Sequence, residues 1–194
     1  MGGVLVPKAP VRTYSQLVRS PAVLVRLLAV LISAVPVGML PLAVVLDALA
    51  RGGSAAAAGG VAAAFALGNA SGILSQGALL GRVRAARLLP PCAAVCVIAT
   101  VTVALLPAGP ASTAVAVLGA AIAGAALPAV SPAVRGWLVT ALPEGPQRVG
   151  AYALLNVLFQ AGVAIGPLAV SALCLLYTSP SPRDRTRSRM PSSA

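Results

Sequence analysis

The chain reads as long apolar runs separated by short polar or arginine-bearing connectors. Leu27 to Leu46 carries no charged residue. A helix needs about 20 such residues, at about 1.5 Å each, to cross the hydrocarbon of a bilayer. Ala48-Leu49-Ala50 resembles a signal-peptidase site. The run before it exceeds the roughly 7–15 residues of a signal core, and further apolar runs follow, which favours a first membrane helix. Ala55 to Leu80, rich in Ala and Gly, is the second run, and Leu88 to Leu106 the third. The turn Pro107-Ala108-Gly109-Pro110 leads to a fourth over Thr113 to Val134. A loop over 135–148, with Trp137, Glu144, Gly145 and Pro146, precedes the fifth, Val149 to Leu173. The predicted fold is all-α: a polytopic membrane bundle of five transmembrane helices over 27–173. A polar segment 1–26 comes before it and a disordered tail 174–194 after it.

Composition agrees. Of 194 residues, 59% are hydrophobic and 9% charged, with a mean hydropathy of +0.96. Soluble domains sit near a quarter charged. The acids are Asp47, Glu144 and Asp184, and there is no His. Acid–base, metal and nucleophilic chemistry therefore lack their usual residues. No catalytic residue, metal or cofactor is expected, and a membrane-embedded enzyme is disfavoured. Cys92 and Cys96 share a helix face and Cys174 stands alone, as small packing residues do.

The net charge is +11. That could suggest nucleic acid, but the arginines sit between apolar runs and aromatics are only 3%. Charges flanking membrane spans account for them, making the lipid bilayer, not nucleic acid, the expected partner. Alternating sides gathers Lys8, Arg12, Arg19, Arg26, Arg82, Arg84, Arg87, Arg135 and Arg148 on one face. Arg51, beside Asp47, and an uncharged turn occupy the other. Positive charge marks the cytoplasm, so the N-terminus is expected inside. The preference for Arg, Ala and Gly points to a GC-rich bacterial gene, hence a bacterial plasma membrane. Arg183, Arg185, Arg187 and Arg189 would break the charge rule. The segment from Cys174 to Asp184 also resembles translated sequencing-adapter read-through, so the native sequence is expected to continue past about Leu173.

Polar groups within spans are costly unless satisfied, and so mark candidate pathways. Asn69 and Gln76 share a face of the second run, as do Asn156 and Gln160 in the fifth. Both pairs could line a central cavity and bind a solute, or serve as interhelical glue. Gly68 and Gly72 read as a close-packing step. Prolines interrupt the first run at Pro36 and Pro41 and the fourth at Pro128 and Pro132. Each removes a backbone donor and is expected to kink its helix, a candidate gating point. Two interrupted spans three helices apart, crossing in opposite directions, suit a transporter built from inverted repeats.

Over about 20–173 the sequence resembles the major facilitator superfamily of secondary transporters. Gly162-Val163-Ala164-Ile165-Gly166-Pro167 in the fifth run is similar to the start of that family's antiporter motif, although Val170 and Ser171 replace its closing glycines. Gly81, Arg82, Arg84 and Arg87 resemble a shortened form of the family's cytoplasmic loop motif, with Ala85 near the place of its acid. The stretch from Pro128 through Arg135 to Ala151-Tyr152-Ala153-Leu154 is also similar to bacterial members. The resemblance implies twelve helices in two halves rocking about a midplane site, of which this chain would be the first five. It implies gating or kink roles for Gly162, Gly166 and Pro167, and a proton-linked or uniport-type carrier that exports a small molecule. The Arg that proton-coupled exporters carry within the fourth helix has no counterpart here. The missing C-terminal half would be its partner, and the chain would not transport alone. The alternative is a membrane scaffold or assembly subunit without transport.

Overall fold

The computed structural model describes residues 20–105 and 110–178. Six helices follow one another: α1 (Pro21–Ala50), α2 (Ala55–Leu80), α3 (Ala85–Leu105), α4 (Pro110–Ala125), α5 (Val130–Ala141) and α6 (Pro146–Thr178). No strand occurs among the described residues. Helices α4 and α5 are two halves of one apolar stretch, so five helical segments are long and apolar enough to cross a membrane. The predicted all-α bundle is what the chain forms.

The helix ends follow local chemistry. Pro21 starts α1, where its missing N–H costs nothing, with Ser20 extended before it. This places the start six residues before the expected Leu27. Gly52, at a φ of +78°, closes α1 with its N–H donated to the Leu49 carbonyl. Glycine occupies this left-handed position without the Cβ clash other residues meet. Ser54 then caps α2, its Oγ accepting from the Ala57 amide at 3.1 Å. Gly145, at a φ of +136°, serves the turn into α6.

The stretch 135–148, expected as a loop, is helical at both ends. Helix α5 runs on to Ala141 and α6 begins at Pro146. The reason is amphipathic spacing: Val134 and Leu138 are buried four residues apart, while Arg135 and Gly136 face outward. Arg148 closes the junction. Its Nη2 donates to the carbonyls of Leu142 at 2.7 Å and Val139 at 3.0 Å, and its Nη1 lies 3.3 Å from Glu144. The tail expected from 174 is helical as far as Thr178. Residues 1–19, 106–109 (most of the expected Pro107 to Pro110 turn) and 179–194 lie outside the described residues.

Two helix pairs form the bundle's closest contacts: α1 with α6, and α2 with α4. Both approach backbone to backbone through glycine, the mode that stabilises helices where lipid competes equally for apolar surface. A Cβ on Gly162 would lie 2.5 Å from the Leu31 oxygen, and one on Gly166 2.5 Å from the Met39 nitrogen. Gly38 rests against Val163 and Pro167. In the second pair, Gly68 and Gly72 abut the carbonyls of Ala121 and Ala125, and Gly124 abuts that of Phe65. Helix α3 packs on the outer side of α4, and α1 meets α2 to join the pairs.

The core is correspondingly divided. Val23, Leu27 and Val30 pack with Val134, Leu138, Ala151 and Leu155 in one cluster. Val61, Phe65, Cys96, Ala99, Ala120, Ala123 and Leu127 form the other. Outside, the surface is apolar: Ile32 is 69% exposed, Leu67 72%, Leu74 75% and Leu168 69%. Leucines and isoleucines so exposed on every long helix would aggregate in water and are stable against lipid tails.

Candidate functional site

The fourth span breaks at residues 126–129. Pro128 cannot donate to the ladder, and α5 restarts at Val130. A break inside a bilayer leaves carbonyls and amides without water, each costly unless a side chain supplies a partner. Gln76 does so from α2. Its Nε2 donates to the Ala125 carbonyl at 2.9 Å and the Leu127 carbonyl at 3.0 Å. Its Oε1 accepts from the Ala129 amide at 3.0 Å. Gln76 is 5% exposed, so these bonds are sealed inside the bundle. Its amide thus bridges the two halves of the fourth span.

The first span differs. Helix α1 is continuous through Pro36 and Pro41. Pro132 sits in the first turn of α5, where a missing N–H is tolerated, so the interruption falls at Pro128.

Beside the break lies a cavity of about 340 Å³. Helix α1 supplies Ser33 and Val37, α2 supplies Asn69 and Ile73, and α6 supplies Phe159. The remaining wall is the break itself, Leu127 to Pro132, with Arg135 one turn on. The cavity therefore sits where the two core clusters meet. Counting helical rise, Ser33 and Asn69 lie roughly 18 Å from the arginine-bearing helix ends, about halfway across the bilayer's hydrocarbon.

Of the polar residues read from sequence, Asn69 is half-buried in the cavity wall. Gln76 stands two turns along α2 with its amide committed to the break. Asn156 is reached by Arg135, whose Nη2 donates to the Asn156 Oδ1. Gln160 is exposed and lies outside the cavity lining. Gly162, Gly166 and Pro167 pack the first span against the fifth. Gly81, Arg82, Arg84 and Arg87 are exposed around the connector between α2 and α3. The Arg26 guanidinium, near the start of α1, stacks 3.8 Å above the Trp137 ring.

Sequence reading missed Ser33, Ser131, Arg135 and Phe159 as cavity residues. Arg135 had a signal: Val130, Val134 and Leu138 recur at helical spacing past the expected end of the span, and Arg135 lies beside that stripe. Nothing local distinguished Ser33, whose hydroxyl also donates to the Val30 carbonyl at 3.0 Å.

Fold and surface together define a helical membrane protein with a polar-edged cavity inside its bundle. A scan against family models, a search of curated proteins and a search of solved structures each returned no match.

Proposed function

We propose that the protein is part of a secondary carrier of the major facilitator type, moving a small molecule across a bacterial plasma membrane as an exporter. The observation that carries this reading is the cavity at the broken fourth span, halfway through the bundle, with Asn69 in its wall. Interrupted membrane helices are a common way for carriers to present polar groups at the midplane.

The packing pattern adds support. Exchanging the first span with the fourth, and the second with the fifth, turns the α1–α6 pair into the α2–α4 pair. Both pairs are glycine-mediated. An inverted repeat of three helices has this exchange. In this reading the N-terminus is cytoplasmic, Gly81 to Arg87 form a cytoplasmic connector, and the five spans work with a second half of the carrier.

Flux tests the proposal. In proteoliposomes, the full carrier should accumulate a solute from a small-molecule panel, and the 194-residue chain alone should not. Asn69→Leu should lower the initial rate at least tenfold at unchanged protein level. A rate indifferent to Asn69 would remove the cavity as the solute site.

A further inference from the structure

The cavity has an unbalanced charge. Among the described residues, Arg135 is the one charged residue in its lining. Both acids among the described residues are engaged elsewhere: Asp47 with Arg51 at 2.8 Å, and Glu144 with Arg148 at 3.3 Å. The hydrogen bond that Arg135 makes goes to a neutral amide oxygen, that of Asn156, and no acid among the described residues compensates its charge. Arg135 is exposed, so its guanidinium is reachable by a ligand. The Asn69 amide and the Ser131 hydroxyl, in the same wall, make no hydrogen bond among the described residues. Val37, Ile73, Leu127 and Phe159 supply apolar side chains to the same lining.

We infer that this cavity binds a small organic monoanion, a carboxylate carried on an apolar body. A guanidinium is always charged and its planar fork matches a carboxylate's two oxygens. Its fixed positive charge favours an anion over the neutral or cationic analogue of the same shape. The Asn69 amide can donate to the same carboxylate, and the Ser131 hydroxyl can do likewise. The apolar side chains of Val37, Ile73 and Phe159 in the lining take the hydrocarbon. At about 340 Å³ the space is near the lower limit for small-molecule pockets, which suits a short chain or a single ring. The assignment rests on the carrier reading, in which this cavity is the solute site, and adds the charge class of the solute.

The test is equilibrium dialysis of radiolabelled hexanoate against the detergent-solubilised chain, with empty micelles as blank. Hexanamide and hexylamine, of matching length, serve as neutral and cationic competitors. Saturable binding of hexanoate at one site per chain is expected, with both competitors at least tenfold weaker. Arg135→Gln should erase that preference so that the three compounds compete alike, and Arg135→Lys should keep part of it. Size-exclusion elution and circular dichroism matching the parent protein show that each variant is folded. Hexanamide or hexylamine competing as well as hexanoate would overturn the inference. So would a preference that survives Arg135→Gln. If hexylamine binds best and Asn69→Leu abolishes its binding, the anion assignment falls while the cavity stands as a solute site. Saturable binding by none of the three removes both.

Discussion

Replacing Gln76 with Leu should destabilise the bundle by about 3 kcal/mol or more, measured as unfolding free energy by steric trapping in bicelles. The substitution keeps side-chain bulk but orphans two carbonyls and an amide at the break in the fourth span. Interhelical hydrogen bonds in membranes average only about 0.6 kcal/mol, because alternative partners are usually found. That average does not govern here. The orphaned groups are backbone atoms at a break that Pro128 prevents from closing, and unsatisfied buried groups cost about 1–3 kcal/mol each. Gln76→Glu should be milder, since a protonated carboxyl retains one donor and one acceptor. A loss below about 0.5 kcal/mol in Gln76→Leu would mean that water or another side chain fills the break.

The second large effect belongs to glycine. Gly166→Ala should cost about 2–3 kcal/mol in the same assay. The added methyl would sit 2.5 Å from the Met39 nitrogen and 2.6 Å from the Val35 oxygen, both backbone atoms of α1. Neither can swing aside as a side-chain tip would, so α1 and α6 must separate. Gly77→Ala is the matched control, because its Cβ meets nothing within 4 Å. Removing a mid-helix glycine there should be neutral, or stabilise by about 0.5–1 kcal/mol. Equal responses at the two positions would contradict the close approach of the first and fifth spans.

The helices were legible in the sequence because a bilayer imposes one rule on every span, a long uncharged run. The second span matches its expected limits, Ala55–Leu80. Limits shifted where a charged residue lies within a helix. Arg26 belongs to α1 with its side chain stacked on Trp137, and Arg135 belongs to α5. A search for uncharged runs stops at such residues, although a long side chain can carry its charge away from the apolar stripe.

The break was only half legible. Proline marks where a ladder bond is lost, yet Pro36 and Pro41 lie within an unbroken helix whereas the chain parts around Pro128. What holds the open ends is Gln76, 49 to 53 residues away. No local pattern shows that partnership. The same limit applied to Asn69 and Gln76, which look alike in sequence as polar residues on one helical face. The fourth span presents broken backbone to Gln76 and an open cavity to Asn69. Which amide is spent on structure depends on the neighbouring helix.

In the proposed topology five spans cross a bilayer, with the 82–87 and 135–148 connectors on one side and Arg51 on the other. Single cysteines introduced after replacing Cys92, Cys96 and Cys174 with Ala test it most directly, using a membrane-impermeant maleimide on spheroplasts and inverted vesicles. Gly81→Cys and Glu144→Cys should be labelled in inverted vesicles only, and Ala55→Cys in spheroplasts only. Labelling of Gly81→Cys and Glu144→Cys from opposite sides would contradict the account.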